Sequence, residues 1–135
     1  ACRAGTTTPF HFGSVLNGRQ ANHDGNLPYG TSEKGPYLDR TTIVGNYSGN
    51  GFGLYDMHGN VWEWCADWYD ADYYANSPAD DPKGPMSGSR RVFRDGSWEA
   101  DARSCRSAIR GSGPARQLNC LGFRVALVPA DESSK

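Results

Sequence analysis

Apolar and polar positions alternate most clearly from Val61 to Trp64, which places Trp62 and Trp64 on one face and Val61 and Glu63 on the other. Gly59-Asn60 just before them is a turn signal, because both residues tolerate a positive φ. The stretch 51–69 therefore predicts a hairpin-like aromatic element with Trp62 and Trp64 as core anchors. Glu63 points away from them, toward solvent or into the hold of a cation or metal. A second alternation, Arg90 to Trp98, sets Val92 and Arg94 against Phe93 and Asp95 and ends in the turn Gly96-Ser97-Trp98. Further short strands are predicted at 10–12, 41–44, 104–109 and 123–128, from aromatic or β-branched runs.

Between these strands the pattern lapses. Residues 17–40 are rich in Asn, Gly, Pro and Asp without sustained periodicity, which predicts a long loop that is functional or pinned by an ion or by side-chain hydrogen bonds. Asn22, His23, Asp24 and Asn26 miss the EF-hand spacing and are read as Asx-turn chemistry. Residues 70–78 allow one short helical turn, which Pro78 stops. Residues 79–89 form a surface loop whose tip carries Asp80 and Asp81, and the tail 131–135 is solvated. The prediction is an α+β fold of short antiparallel strands, extensive irregular loops and few short helices.

Composition narrows this picture. The chain has 135 residues, expected to form one domain burying roughly two thirds of its unfolded surface. Seventeen glycines and eight prolines fit a loop-rich fold, while sixteen aromatics (four Trp, seven Tyr, five Phe) supply enough burial to exclude disorder. A net charge of -1 provides no attraction to nucleic acid or anionic membrane. No run of about 18 apolar residues exists to span a membrane. The first residue is not Met, so a processed or partial chain is expected. Cys2, Cys65, Cys105 and Cys120 form neither a C-x-x-C pair nor a zinc-finger spacing, and three disulfide pairings remain open. Tyr69, Tyr73 and Tyr74 suit core packing, a glycan platform or a protein interface.

Four blocks, taken together, resemble the sulfatase-modifying-factor family, which includes the formylglycine-generating enzyme. They are Ala1-Cys2-Arg3-Ala4-Gly5-Thr6; the long run from Gly53-Leu54-Tyr55-Asp56-Met57-His58 through Gly59-Asn60-Val61-Trp62-Glu63-Trp64; Arg94-Asp95-Gly96-Ser97-Trp98; and Cys105-Arg106-Ser107-Ala108 with Leu121-Gly122-Phe123-Arg124. The resemblance implies a C-type-lectin-like fold, of which residues 1–135 would form a single domain lacking the usual N-terminal part. It also implies a site to test. The family's enzyme is described as binding copper(I) through two cysteines five positions apart, shortly after a Gly-Ser-aromatic turn, to oxidise a substrate cysteine. After Gly96-Ser97-Trp98 the first of these positions is Ala100 and the second falls on Cys105. One thiolate does not make a two-coordinate copper site. Cys105 then reads as a buried strand cysteine or half of a disulfide with Cys65.

The resemblance further implies calcium. Asp56 and Glu63 would supply side-chain oxygens, and Gly59 and Val61 backbone carbonyls. Alternatively Asp56 caps a turn and Glu63 pairs with an arginine such as Arg106 or Arg124. A second calcium site would use Asn22 and the His23 carbonyl, with Pro36 near the place of its acidic ligand. The family's other branch consists of binding proteins, some diversified by retroelements in their C-terminal loops. By that likeness the ligand-binding positions are Glu99, Ala100, Asp101, Ser104, Ile109, Gly111, Ser112, Gln117 and Leu118. The reading is a non-catalytic module for a protein or glycan ligand, with self-association open and an extracellular or periplasmic setting favoured. A copper-dependent, formylglycine-generating oxidoreductase acting on a sulfatase cysteine and a retroelement-diversified bacterial binder are the alternatives.

Overall fold

The computed structural model describes residues 1–114 and 120–127. Its regular elements begin late in the chain: β1 (Trp62–Trp68), α1 (Tyr73–Asn76), β2 (Arg91–Arg94), a 3-10 turn (Ala102–Cys105), β3 (Gly111–Gly113) and β4 (Leu121–Phe123). They build one four-stranded sheet in the order β3-β2-β1-β4. β2 runs antiparallel to β1 and β3, whereas β4 runs parallel to β1, pairing Trp62 with Leu121 and Trp64 with Phe123. The alternation of 61–64 is realised. Glu63 stands opposite Arg94 on one face, and Trp64 opposite Phe93 on the other. Trp62 and Trp64 meet the Phe93 ring edge to face, at centroid distances of 5.0 and 5.7 Å.

These indoles are not the core. Both remain partly exposed, and the buried centre is Phe10, Leu16, Ala21, Ala102 and Cys105, backed by Phe12, Tyr29 and Ala100. Most of that centre comes from irregular segments, so no periodicity announced it. The stretch 10–12 is no strand either. Phe10 and Gly13 exchange backbone hydrogen bonds across a tight turn, and a second bridge joins Leu16 to Tyr29. Residues 41–44 also fail as a strand. The Thr42 N–H is taken by the Asn60 side chain (2.9 Å), and Ile43 and Val44 stand in solvent.

The predicted strand at 104–109 is replaced by the 3-10 turn. The Asp101 carboxylate accepts the Ser104 N–H (2.8 Å), a side-chain cap that winds the chain instead of extending it. Cys105 is thus not a strand residue. In the segment predicted to be extended from 123 to 128, β4 ends at Phe123, and Val128 lies outside the described residues. The helical turn before Pro78 is present as α1, capped at Ser77. The loop 17–40 is pinned as expected. Asn22 Nδ2 donates to the Arg40 carbonyl (2.9 Å) and to Asn60 Oδ1 (3.1 Å), and Asp24 Oδ1 accepts the Asn26 N–H in an Asx turn.

Candidate functional site

The turn Gly59-Asn60 is where the central motif meets the N-terminal loops. Both residues have positive φ (84° and 68°), as their types allow. The reversal aims the Asn60 side chain at Thr42 and Asn22, while the Asn60 carbonyl accepts the Trp98 N–H at 2.9 Å. This ties the central motif to the N-terminal loops and to the Gly96-Ser97-Trp98 turn. Beside it opens a cavity of about 570 Å³ that Asp56, Gly59, Val61 and Glu63 all line, together with Phe123 and Arg124. The four residues implied for calcium are thus brought together.

The carboxylates of Glu63 and Asp56, however, already have partners. Arg124 forks onto Glu63, with Nη2 2.7 Å from Oε1 and Nε 2.9 Å from Oε2, and Nη2 also donates to the Tyr55 carbonyl. This bidentate pairing draws the arginine pKa up. Asp56 Oδ2 accepts the Gly45 N–H at 2.7 Å. Among the described residues no group of three or more His, Cys, Asp or Glu side chains is placed to hold a metal ion. With Arg124 in place the guanidinium supplies the positive charge at Glu63 that a calcium ion would otherwise bring, and the ion would have to displace it. At the second implied site, the Asn22 carbonyl accepts the Asn60 N–H and its amide is spent on Arg40 and Asn60. A chelator is therefore expected to leave the melting temperature unchanged. A rise of more than about 3 °C on adding calcium would show that the ion displaces Arg124.

The Glu63–Arg124 pair also borders a second cavity, of about 440 Å³, lined by Cys2, Cys65, Arg94, Asp95 and Ser107. Asp95 reaches it because its φ of 82° breaks the alternation after β2, turning the side chain toward Arg94's side of the sheet. The carboxyl is buried, and desolvation, reinforced by Glu63, raises its pKa to about 7 against the pull of Arg124 and Arg94. Cys2 Sγ lies 3.3 Å from the Met57 carbonyl and 3.5 Å from Ser107 Oγ, two acceptors within reach of its single S–H.

All four cysteines are free thiols, so neither a Cys65–Cys105 bridge nor any other disulfide is present. Cys105 is held in the core, under the Gly96 turn and with its Sγ toward the Asp101 carbonyl, while Cys65 lines the second cavity. Burial pushes every one of the four thiols up, Cys105 furthest. None is activated as a thiolate. Ala100, at the position of the first copper cysteine, packs against the core, and its N–H and carbonyl bond Ser97 and Asp24. One buried, protonated thiol and one methyl group do not fit copper(I).

The C-terminal positions expected to bind a ligand scatter. Glu99 is exposed and accepts from the buried Cys120 thiol (3.0 Å), Asp101 caps the 3-10 turn through Ser104, and Ile109 accepts from Arg94. Gly111 lies so close under the Phe93 ring that a Cβ would collide with it, whereas Ser112 borders a small groove beside Trp64. Gln117 and Leu118 lie outside the described residues.

A residue that sequence reasoning missed is His58. It is buried among Phe10, Phe12 and His11, with Nδ1 2.7 Å from the Cys105 carbonyl and Nε2 accepting the His11 N–H at 3.1 Å. That pairing assigns the proton to Nδ1. Burial lowers its pKa to about 4. Its place in the middle of the Gly53–Trp64 motif was the one available signal.

A small mixed sheet, irregular loops carrying the core and one four-residue helix define a C-type-lectin-like domain of the sulfatase-modifying-factor type. The chain belongs to that family: the model for the sulfatase-modifying factor enzyme 1-like domain matches residues 1–128. It is similar to the formylglycine-generating enzyme of Streptomyces coelicolor, 42% identical over 106 residues that make up 76% of this chain and 33% of that protein. Among solved structures it resembles Treponema denticola variable protein 1 (TM-score 0.69, 32% identity, covering 90% of this chain and 41% of that one). PvdO from Pseudomonas aeruginosa superimposes with a TM-score of 0.72 at 27% identity, over 90% of this chain and 46% of that one. The chain thus spans about a third of the length of that curated relative, and less than half of either structure. Among the described residues no helix is long and apolar enough to cross a membrane.

Proposed function

We propose that this chain is a non-catalytic ligand-binding or assembly module on the formylglycine-generating-enzyme-like scaffold. The observation that carries this reading is the pair Ala100 and Cys105: the first sulfur is missing, and the second is fully buried with its thiol pushed toward the neutral form. A copper(I) site needs two soft ligands, and this pair offers one buried sulfur, which supports the non-catalytic reading. Incubation with copper(I), oxygen and a Cys-x-Pro-x-Arg peptide is expected to give no aldehyde. Copper-dependent aldehyde formation would return the protein to the oxidoreductases.

A second reading has its own support. Likeness to the Treponema variable protein favours a retroelement-diversified binder, in which Glu99, Ser104, Ile109 and Ser112 change while Asp101 and Gly111 stay because they cap and pack. Sequencing the locus across closely related isolates decides it: substitutions are expected to concentrate at the first group and at Ala100, Gln117 and Leu118, and an evenly spread pattern would remove the reading.

A further inference from the structure

We infer that a third cavity, which shares only Arg94 with the cavity beside the Glu63–Arg124 pair, is a binding site for a pyranose sugar bearing a carboxylate. It lies where the end of β1, helix α1, the loop 82–85 and β2 converge, with Arg110 just before β3, and has a volume of about 200 Å³. Its lining includes Asp67, Trp68, Tyr73, Tyr74, Arg94 and Arg110. That size suits one six-membered ring and is too small for an extended peptide.

The charges at this cavity are positioned but have no ionic partner. Among the described residues the ion pairs are Arg19–Glu33 and Arg124–Glu63, so Arg94, Arg110 and Asp67 stand outside any salt bridge. Both guanidiniums are nevertheless fixed. Arg110 lies between the rings of Tyr69 and Tyr74, 4.7 and 4.2 Å from their centroids, and donates to the Asp70 carbonyl (3.2 Å). Arg94 donates to the Tyr74 hydroxyl and the Ile109 carbonyl, both at 2.9 Å. Each keeps further N–H groups free, since a guanidinium carries five. Two such forks against one carboxylate leave the lining net positive, which complements a ligand carboxylate. Asp67, exposed at the rim, accepts from ligand hydroxyls.

The aromatic content selects a sugar over an amino acid. Arg110 already occupies cation–π positions on Tyr69 and Tyr74, and Arg91 covers a Trp68 face at 3.5 Å. With those faces covered by guanidiniums an ammonium meets like charge, whereas sugar hydroxyls can accept from the free guanidinium N–H groups and donate to Asp67. The site uses none of Glu99, Ser104, Ile109 and Ser112 as lining, although Arg110 adjoins Ile109, and it does not depend on whether the chain is catalytic.

Calorimetric titration with methyl β-glucuronide, methyl α-galacturonide, methyl β-glucoside and L-phenylalanine tests this. At least one uronide is expected to bind, about tenfold or more tighter than the glucoside, with no heat from phenylalanine. Asp67→Asn and Arg110→Ala should each weaken the uronide by about tenfold. Asp67 is exposed, so D67N is expected to keep the parent melting temperature even if R110A disturbs the two tyrosines. The site is overturned if neither uronide binds, if the neutral glucoside binds as tightly, if phenylalanine is preferred, or if a fully folded D67N binds like the parent.

Discussion

Replacing Asp95 with asparagine is expected to stabilise the protein by up to about 4 kcal/mol at pH 8, with little gain at pH 4. The folded carboxyl has a pKa of about 7 against an ordinary 3.8, because burial and Glu63 oppose its charge more than Arg94 and Arg124 favour it. Between those two values the folded state holds a proton that the unfolded chain has released, so stability falls as pH rises from about 4 to 7. His58 acts in the opposite sense. Its folded pKa of about 4 lies below the ordinary 6.5, so its contribution is intact above 6.5 and is lost as pH falls toward 4. His23, also lowered by burial, adds to that loss. In the parent the Asp95 and His58 trends oppose one another across the acid range, and the stability curve from pH 6.5 to 4 should be nearly flat. Asp95→Asn removes one side. The variant is expected to lose about 3 kcal/mol over that range, measured by urea unfolding at fixed ionic strength. Parallel pH profiles for the two proteins would show that Asp95 is not the group titrating.

Asp95 also illustrates what could be read in advance. Alternation along 90–98 placed it with Phe93, but one residue with positive φ moved it to the face of Glu63 and Arg94. Local chemistry was legible where it is governed by the residue's own backbone or nearest neighbours: the Gly59-Asn60 reversal, the opposed faces of Val61 to Trp64, and the helical stop before Pro78. Glu63 was narrowed to a metal or an arginine. Only the fold could choose between them, because the parallel register of β4 brings Arg124 across from sixty-one residues away.

The core was illegible for a related reason. Phe10, Leu16 and Ala21 sit in irregular segments, and Ala102 and Cys105 in a single 3-10 turn, so no period of 2 or 3.6 marks them. Propensity failed at 41–44, where Asn60 claims the backbone of Thr42 and leaves two β-branched side chains in water. At the candidate site, the missing sulfur at position 100 was visible in the sequence through the family resemblance, while the burial of its would-be partner was not.

The second large effect is expected within the central motif, between two glycines that look alike in sequence. Gly53 and Gly59 both have positive φ, 73° and 84°. A Cβ at Gly53 would meet nothing within 4 Å, so Gly53→Ala should cost about 1 kcal/mol, the backbone strain alone. A Cβ at Gly59 would run into the Asn22 carbonyl, and that oxygen cannot retreat because it accepts the Asn60 N–H at 2.8 Å. The Gly59 N–H itself donates to the Asp95 carbonyl. Relief therefore requires opening the junction between the long loop, the motif and the Gly96 turn together. Gly59→Ala is expected to cost about 3 kcal/mol or more, lowering the melting temperature by at least about 10 °C. Equal losses for the two variants, read from thermal unfolding at one pH, would mean that strain dominates and that the close approach of Asn22 carries no weight. The wide separation expected here would make Gly59 the residue whose missing side chain lets the motif dock, independent of any ion in the cavity beside it.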